Sequence, residues 1–508
     1  MKGRAAAVLT LAVLAAGLGL FLLRERQIAG PVGLQGFPLD DSWIHLQFAR
    51  NLAEGRGFAY NPGVPVAGST APLWTLLLAV LFAVGGAHVV WAKFAGVLGA
   101  LGAAWLARRL AIQWTGEPGL GLMAALLTVG SAPIVWGALS GMEVTLAALL
   151  VTGALAAHAA GRSTRASALI GAAALARPES VLLVPLLWLG GPLTFSRSAA
   201  SLGIPAGLLL PWMAFNVRTS GWLLPATAAA KIEGGLVGFL SGARESAAAF
   251  FWRPWQFERE WVGWLASVNV LLPVLIVPGL WMLWRRHGRA GVVPASILIL
   301  HPLGMALLAP YRGPAFQEGR YSIQLLPLAV AVALMALLPL VSVARSRPIV
   351  GRAFCALLVI TCVPPLARGA ERYAWAVQNI DAMQVHLGRW VGEHTPGGAR
   401  LALNDVGAIV YFGRREAVDV MGLITPAIIP YRRQGEAGVL RYLERACPDY
   451  LIIFPAWFPE LSARGDRFKP VYRVRLERNT VAGADEMVVY ETVWNRWGLS
   501  PRSCPAVS

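Results

Sequence analysis

Residues 38–75 read PLDDSWIHLQFARNLAEGRGFAYNPGVPVAGSTAPLWT. The stretch follows a continuous apolar run, residues 5–23, and it opens with two adjacent carboxylates, Asp40 and Asp41. Ionised groups at a bilayer boundary are expensive to bury, so in a multi-spanning chain they are functional candidates first. Outward from this stretch the chain is apolar: 56% of its 508 residues are hydrophobic and 14% are charged, with mean hydropathy +0.57. Soluble domains carry about a quarter charged residues. The composition is that of an α-helical polytopic membrane protein.

The net charge of +17 does not indicate a nucleic-acid binder, because no polar domain presents one continuous basic face. The clustered arginines lie in short loops between apolar runs, where membrane orientation places them. With the run 5–23 read as a retained first helix and the N-terminus inside, Arg108/Arg109, Arg162/Arg165, Arg197, Arg285/Arg286/Arg289 and Arg345/Arg347 all fall inside. The run 72–86 is short for a span, which takes about 17 residues or more; it reads as a juxtamembrane or re-entrant helix. Eleven spans result. The first loop (24–88), the Ser140–Glu143 turn, the Arg177-Pro178-Glu179 turn, loop 217–261, loop 310–320 and the tail after 367 then share the external face. Arg177 is expected at a charged turn between two short helices, 166–176 and 180–194, below the membrane surface and lining a cavity.

The composition changes near residue 370, giving a membrane domain over 1–369 and an extracytoplasmic α/β domain over 370–508. In the latter, 373–394 and GVLRYLERA have helical spacing. ARLALND, AIVYFG, DYLIIFP, VYRVRLER and EMVVYETV are expected strands. No GxGxxG, P-loop, HExxH or Cys/His ligand cluster occurs, so neither a nucleotide nor a zinc site is indicated. Cys447 and Cys504 are candidates for a disulfide if this domain is external.

Several residues have both a chemical and an ordinary reading. Asp40 and Asp41 suit a general base that takes a hydroxyl proton; Asp is also a common helix N-cap. His45, one helical turn after Asp41, suits either a hydrogen bond or a ligand pair. Glu143 opens a helix, where a carboxylate complements the dipole. Arg177 and Glu179 are near enough to pair with each other. Lys231 follows PATAAA; Arg320 and Tyr321 open a helix from outside, where such residues also act as interface anchors. Together, external carboxylates and external basic residues suit an anionic, lipid-linked substrate.

At this point the residues carry a resemblance. The Asp-Asp start, RNLAEGRGFAYNPG and AGSTAPLW are similar to the corresponding loop of the GT-C superfamily of membrane glycosyltransferases, nearest to the bacterial type that includes mycobacterial arabinofuranosyltransferases. LSGME (139–143), LARPE (175–179), LLPATAAAK (223–231), GRYSIQLLPL (319–328) and NDVGAIVYFGRREAVDVMGL (404–423) follow in order. The resemblance implies a polyprenyl-phosphate sugar as donor, inverting transfer to a cell-envelope glycan, lipid or protein acceptor, and a bacterial cytoplasmic membrane with the site on its outer face. It implies Asp40 as base with Asp41 as companion, and Lys231 and Arg320 facing the donor phosphate. It implies Glu143 near that phosphate or, with Asp41, near a divalent cation if one is used. Ala67 stands where relatives often carry Glu, and His45 and Gln47 are departures too, so the acceptor and arabinose specificity do not carry over. A flippase for polyprenyl-linked glycans is the competing class; it would be expected to show inverted repeats, and none is visible.

Overall fold

A computed structural model describes residues 3–30, 35–231, 247–308 and 312–497. The chain has the fold of an α-helical polytopic membrane protein with a small C-terminal α/β sheet. Two compact units divide it: residues 1–24, 92–212 and 232–371 form one, and residues 25–91, 213–231 and 372–508 the other.

The first unit is helical. Among the described residues of the whole chain, five helices are long and apolar enough to cross a membrane, and up to seven if each of two bent pairs is one span. The eleven expected runs are not all single long helices, for identifiable reasons. The run 119–137 is two helices, Pro118–Val129 and Ala132–Leu139, bent by 55° around Gly130 and the proline at the start of the second. The run 262–284 is interrupted at Asn269, whose side chain accepts the Leu271 N–H at 2.9 Å and so starts a new helix, Leu271–Ala295. Val144–Ala159 and Ser163–Ala176 have only 16 and 14 residues. Residues 166–194 are a broken segment, as expected: after Ala176 the chain is extended at Arg177, then enters a 3-10 turn, Pro178–Leu182, and the short helix Leu183–Leu189.

The second unit joins the first loop to the C-terminal sheet. Pro72–Gly85 is a 14-residue helix, in keeping with its demotion from the spans. The sheet has strands β1 (Arg400–Leu403), β2 (Glu416–Asp419), β3 (Tyr450–Ile453), β4 (Phe468–Arg475) and β5 (Glu486–Thr492). Their order is β2-β1-β3-β5-β4. β1 runs parallel to β2 and β3, and β5 is antiparallel to both β3 and β4. GVLRYLERA lies in the helix Glu436–Ala446. One expectation is corrected: AIVYFG is a helix, Ala408–Gly413, and the neighbouring strand is EAVD. Residues 363–394 are helical throughout, with a π-turn at Asp381–Val385. Cys447 is disulfide-bonded; Cys504 lies outside the described residues.

The Gly/Pro motif of the first loop works as a docking device in this unit. Gly55, Gly57 and Gly63 all have positive φ, which only glycine adopts without strain. The turn they form brings Asn61 against the edge of β2, where its amide donates to the Ala417 carbonyl at 2.8 Å and accepts the Ala417 N–H at 2.9 Å. One side chain thus supplies the pair of bonds a neighbouring strand would make.

Candidate active site

The helix Asp41–Ala53 buries every residue from Ser42 to Asn51, polar ones included. Burial of that many polar groups requires partners, and the partners come from the Gly/Pro turn and the C-terminal part of the unit. Gln47 and Asn51 donate to the Tyr60 carbonyl at 3.1 and 2.7 Å. Arg50 donates to the Tyr411 carbonyl at 3.0 Å and lies 4.3 Å from the centroid of its ring. The Tyr60 hydroxyl donates to the Val406 carbonyl.

Asp40 precedes this helix but makes no side-chain cap on it. Its carboxylate caps another helix instead. The N–H groups of Gly407 and Ala408 donate to its two oxygens at 2.8 and 2.7 Å, at the start of Ala408–Gly413. A Cβ at Gly407 would lie 2.1 Å from the Asp40 carbonyl oxygen and 2.6 Å from its carboxyl carbon, so the glycine of NDVG is what lets the carboxylate approach. Asp405, two residues before Gly407, accepts bonds from Gln384 at 2.9 Å and Asn404 at 3.1 Å. Burial first, and the Asp405 charge second, hold the Asp40 carboxyl well above its usual value; the two backbone N–H bonds oppose that shift. Burial likewise raises Asp405 to about 6, with Asp41 and Asp419 adding to it. Asp419, at the end of β2, is also raised to about 6 by burial although the Met421 and Ile424 N–H groups donate to it. Asp40 is raised in the same direction as Asp405 and Asp419, and a carboxyl raised by burial takes a proton more readily, which is what a general base needs.

Of the residues singled out in this loop, Asp40 and Asp41 thus sit beside Asp405, a carboxylate of the NDVG motif that the sequence did not single out as a site residue. His45 is buried and lies 3.4 Å from the Ser69 hydroxyl through Nδ1. Lys231 ends a short helix, Ala226–Lys231, whose first N–H donates to the Ala67 carbonyl at 2.9 Å; its side chain lies outside the described residues.

In the helical unit a second set assembles. Arg177, buried at the break between two helices, donates to Glu143 at 2.7 Å and also pairs with Glu179. Its guanidinium lies 4.9 Å from the Tyr321 ring centroid. Arg320 lies 5.0 Å from the same ring and donates to the Tyr321 hydroxyl at 3.0 Å. Five residues drawn from separate sequence motifs therefore meet. Beside them, Ser180 donates to Gln324 at 2.8 Å and Gln324 lies 3.4 Å from His301, two of the three outside the quoted motifs. The turn before Arg320 is strained: Gln317 and Glu318 have positive φ, as does Gly319, where a Cβ would fall 2.1 Å from the Trp264 indole nitrogen. Strain of this kind persists where surroundings over-determine a backbone, often at functional positions.

No group of three or more His, Cys, Asp or Glu able to hold a metal ion occurs among the described residues. N–H donors face both oxygens of Asp40 and both of Asp405, and a guanidinium faces Glu143. Such donors compete with a cation for the same lone pairs, and no step below passes through a metal.

The chain has the GT-C fold. It is similar to ArnT from Cupriavidus metallidurans in the apo state, with TM-score 0.59 and 14% identity over 96% of this chain and 98% of that one. The same protein bound to undecaprenyl phosphate matches with TM-score 0.60 and 12% identity over 97% and 99%. The oligosaccharyltransferase AglB from Archaeoglobus fulgidus, in complex with an inhibitory peptide and a dolichol-phosphate, matches with TM-score 0.55 and 12% identity over 94% and 74%. A family profile described as a domain of unknown function (DUF8728) matches residues 377–494. No curated protein matches the chain.

Proposed function

We propose that the protein is an inverting glycosyltransferase that moves a sugar from a polyprenyl-phosphate donor to an envelope glycan, lipid or protein acceptor on the outer face of the bacterial cytoplasmic membrane. The observation that carries this is Asp40, a carboxylate fixed by two backbone N–H groups and raised above its usual value by burial, in a chain with the GT-C fold. The lipid phosphates in the ArnT and AglB structures support the donor class. In the reaction the acceptor hydroxyl oxygen bonds to the anomeric carbon, and the bond from that carbon to the phosphate oxygen breaks. The hydroxyl proton passes to Asp40, with Asp41 as its companion, and polyprenyl phosphate leaves. Release of polyprenyl phosphate by the purified protein, given donor and envelope extract, tests the reading; movement of intact donor across a bilayer without release would support a flippase instead.

Arg320 and Lys231 are assigned to the donor phosphate. Arg suits two-pronged phosphate contact and Lys acts as a point charge. Arg320→Ala or Lys231→Ala is expected to weaken donor binding, with Arg320→Lys restoring it only in part. Equal binding of a labelled polyprenyl-phosphate sugar by wild type and the double alanine variant would make both residues interface anchors.

The positive-inside pattern assigns the C-terminal domain to the external side. Alkaline phosphatase fused after residue 370 is expected to be active, and a fluorescent reporter that matures only in the cytoplasm is expected to be dark there. The reverse pattern would place this domain inside.

A further inference from the structure

Asp405 belongs to the C-terminal sheet, which the first-loop chemistry did not require. Three observations set it apart. It lies two residues past the end of β1, and β1 is flanked by β2 on one side and β3 on the other. The chain therefore reverses its winding direction at β1, and the carboxyl end of such a strand is where open α/β sheets place their ligands. Second, Gly407, two residues on, supplies one of the N–H groups that hold Asp40. Third, the side chain that orients Asp405 is Gln384, which is fully buried and sits in a π-turn, an irregularity that recurs at functional positions. The Gln384 Oε1 atom is buried with no hydrogen-bond partner among the described residues.

We infer that Asp405 is a positioning residue of the reaction centre: its charge, beside Asp40, sets the pH at which Asp40 takes the acceptor proton, and Gln384 holds Asp405 in place. Two carboxylates that share a site resist double ionisation, so the presence of one raises the proton affinity of the other. The groups facing Asp40 are Asp41, Tyr60, Asp405 and the two backbone N–H donors. Those facing Asp405 are Gln384, Asn404, Asp41 and Asp419. Asp405 is the acidic one that arrives from the sheet beside Asp40. A base acts when ionised, so activity rises with pH through the Asp40 titration. Removing the Asp405 charge moves that rise to lower pH.

The inference rests on the glycosyltransferase reading for its role in turnover, and two readouts separate them. In transfer assays across pH 4 to 9, Asp405→Asn is expected to move the acidic limb of kcat/KM down by about one pH unit or more. Gln384→Leu removes the amide that keeps Asp405 ionised and is expected to shift the limb the same way. Independently, infrared titration of the purified full chain follows the protonated carboxyl band, whose midpoint is expected to fall in Asp405→Asn. A band that shifts in a protein without transferase activity leaves the proton coupling standing and sinks the enzymatic reading. Slower transfer with limb and band midpoints both unchanged overturns the inference, since a purely structural Asp405 gives that result.

Discussion

Replacing Asp40 by Asn is expected to lower the transfer rate by roughly 10²–10⁴-fold, the usual worth of a positioned general base. It is also expected to loosen the unit that holds it. Asn has one accepting oxygen where Asp40 offers two, so its amide N–H would face the N–H of Gly407 or Ala408. A hydrogen bond to a charged group is worth about 1.5–3 kcal/mol, and that loss should appear as a lower thermal midpoint. The two effects separate through Gly407→Ala. That change keeps the carboxylate but forces it from its seat, so it should reproduce the instability with the base still present. Near-native transfer by a folded Asp40→Asn protein would remove Asp40 from the chemistry.

The second large effect is expected at Arg177. Its guanidinium pairs with Glu143 and Glu179 where all three side chains are at most 9% exposed. Arg177→Met keeps the length of the side chain and strands two carboxylates without their counter-ion. Breaking a buried ion pair from one side costs about 3–5 kcal/mol. Yield and thermal midpoint in detergent should fall sharply, whereas Arg177→Met combined with Glu143→Gln and Glu179→Gln should recover much of the loss. A single variant as stable as wild type would mean that the carboxylates find other partners, and that the set has no structural hold on Tyr321 and Arg320.

The sequence was informative where chemistry is local. The Asp-Asp pair, the glycine turn and the broken segment at Arg177 each show themselves within ten residues or so, because turn chemistry and bilayer energetics act over that range. Pairing over longer separations was not legible. Nothing near Asp40 announces that its carboxylate will cap a helix 367 residues away, and Asp405 is a single carboxylate in a loop with no periodicity around it. AIVYFG was misread because a six-residue apolar run fits a buried strand and a buried helix equally well; the Asp40 cap and Gly407 decide for helix. EAVD escaped notice because charged Glu416 and Asp419 end it on both sides, and its partner is the side chain of Asn61 as well as β1. Apolar runs are broken in the structure where they contain a breaker that hydropathy does not register, as at Gly130 and Asn269.

The central claim is that Asp40 accepts a proton and does not attack the sugar. The anomeric configuration of the product, read by NMR after transfer from a polyprenyl-phosphate donor of known configuration, tests it most directly. Base catalysis of a single displacement inverts that centre. A product with the donor's configuration would require a covalent sugar–enzyme intermediate, and would contradict the role assigned to Asp40.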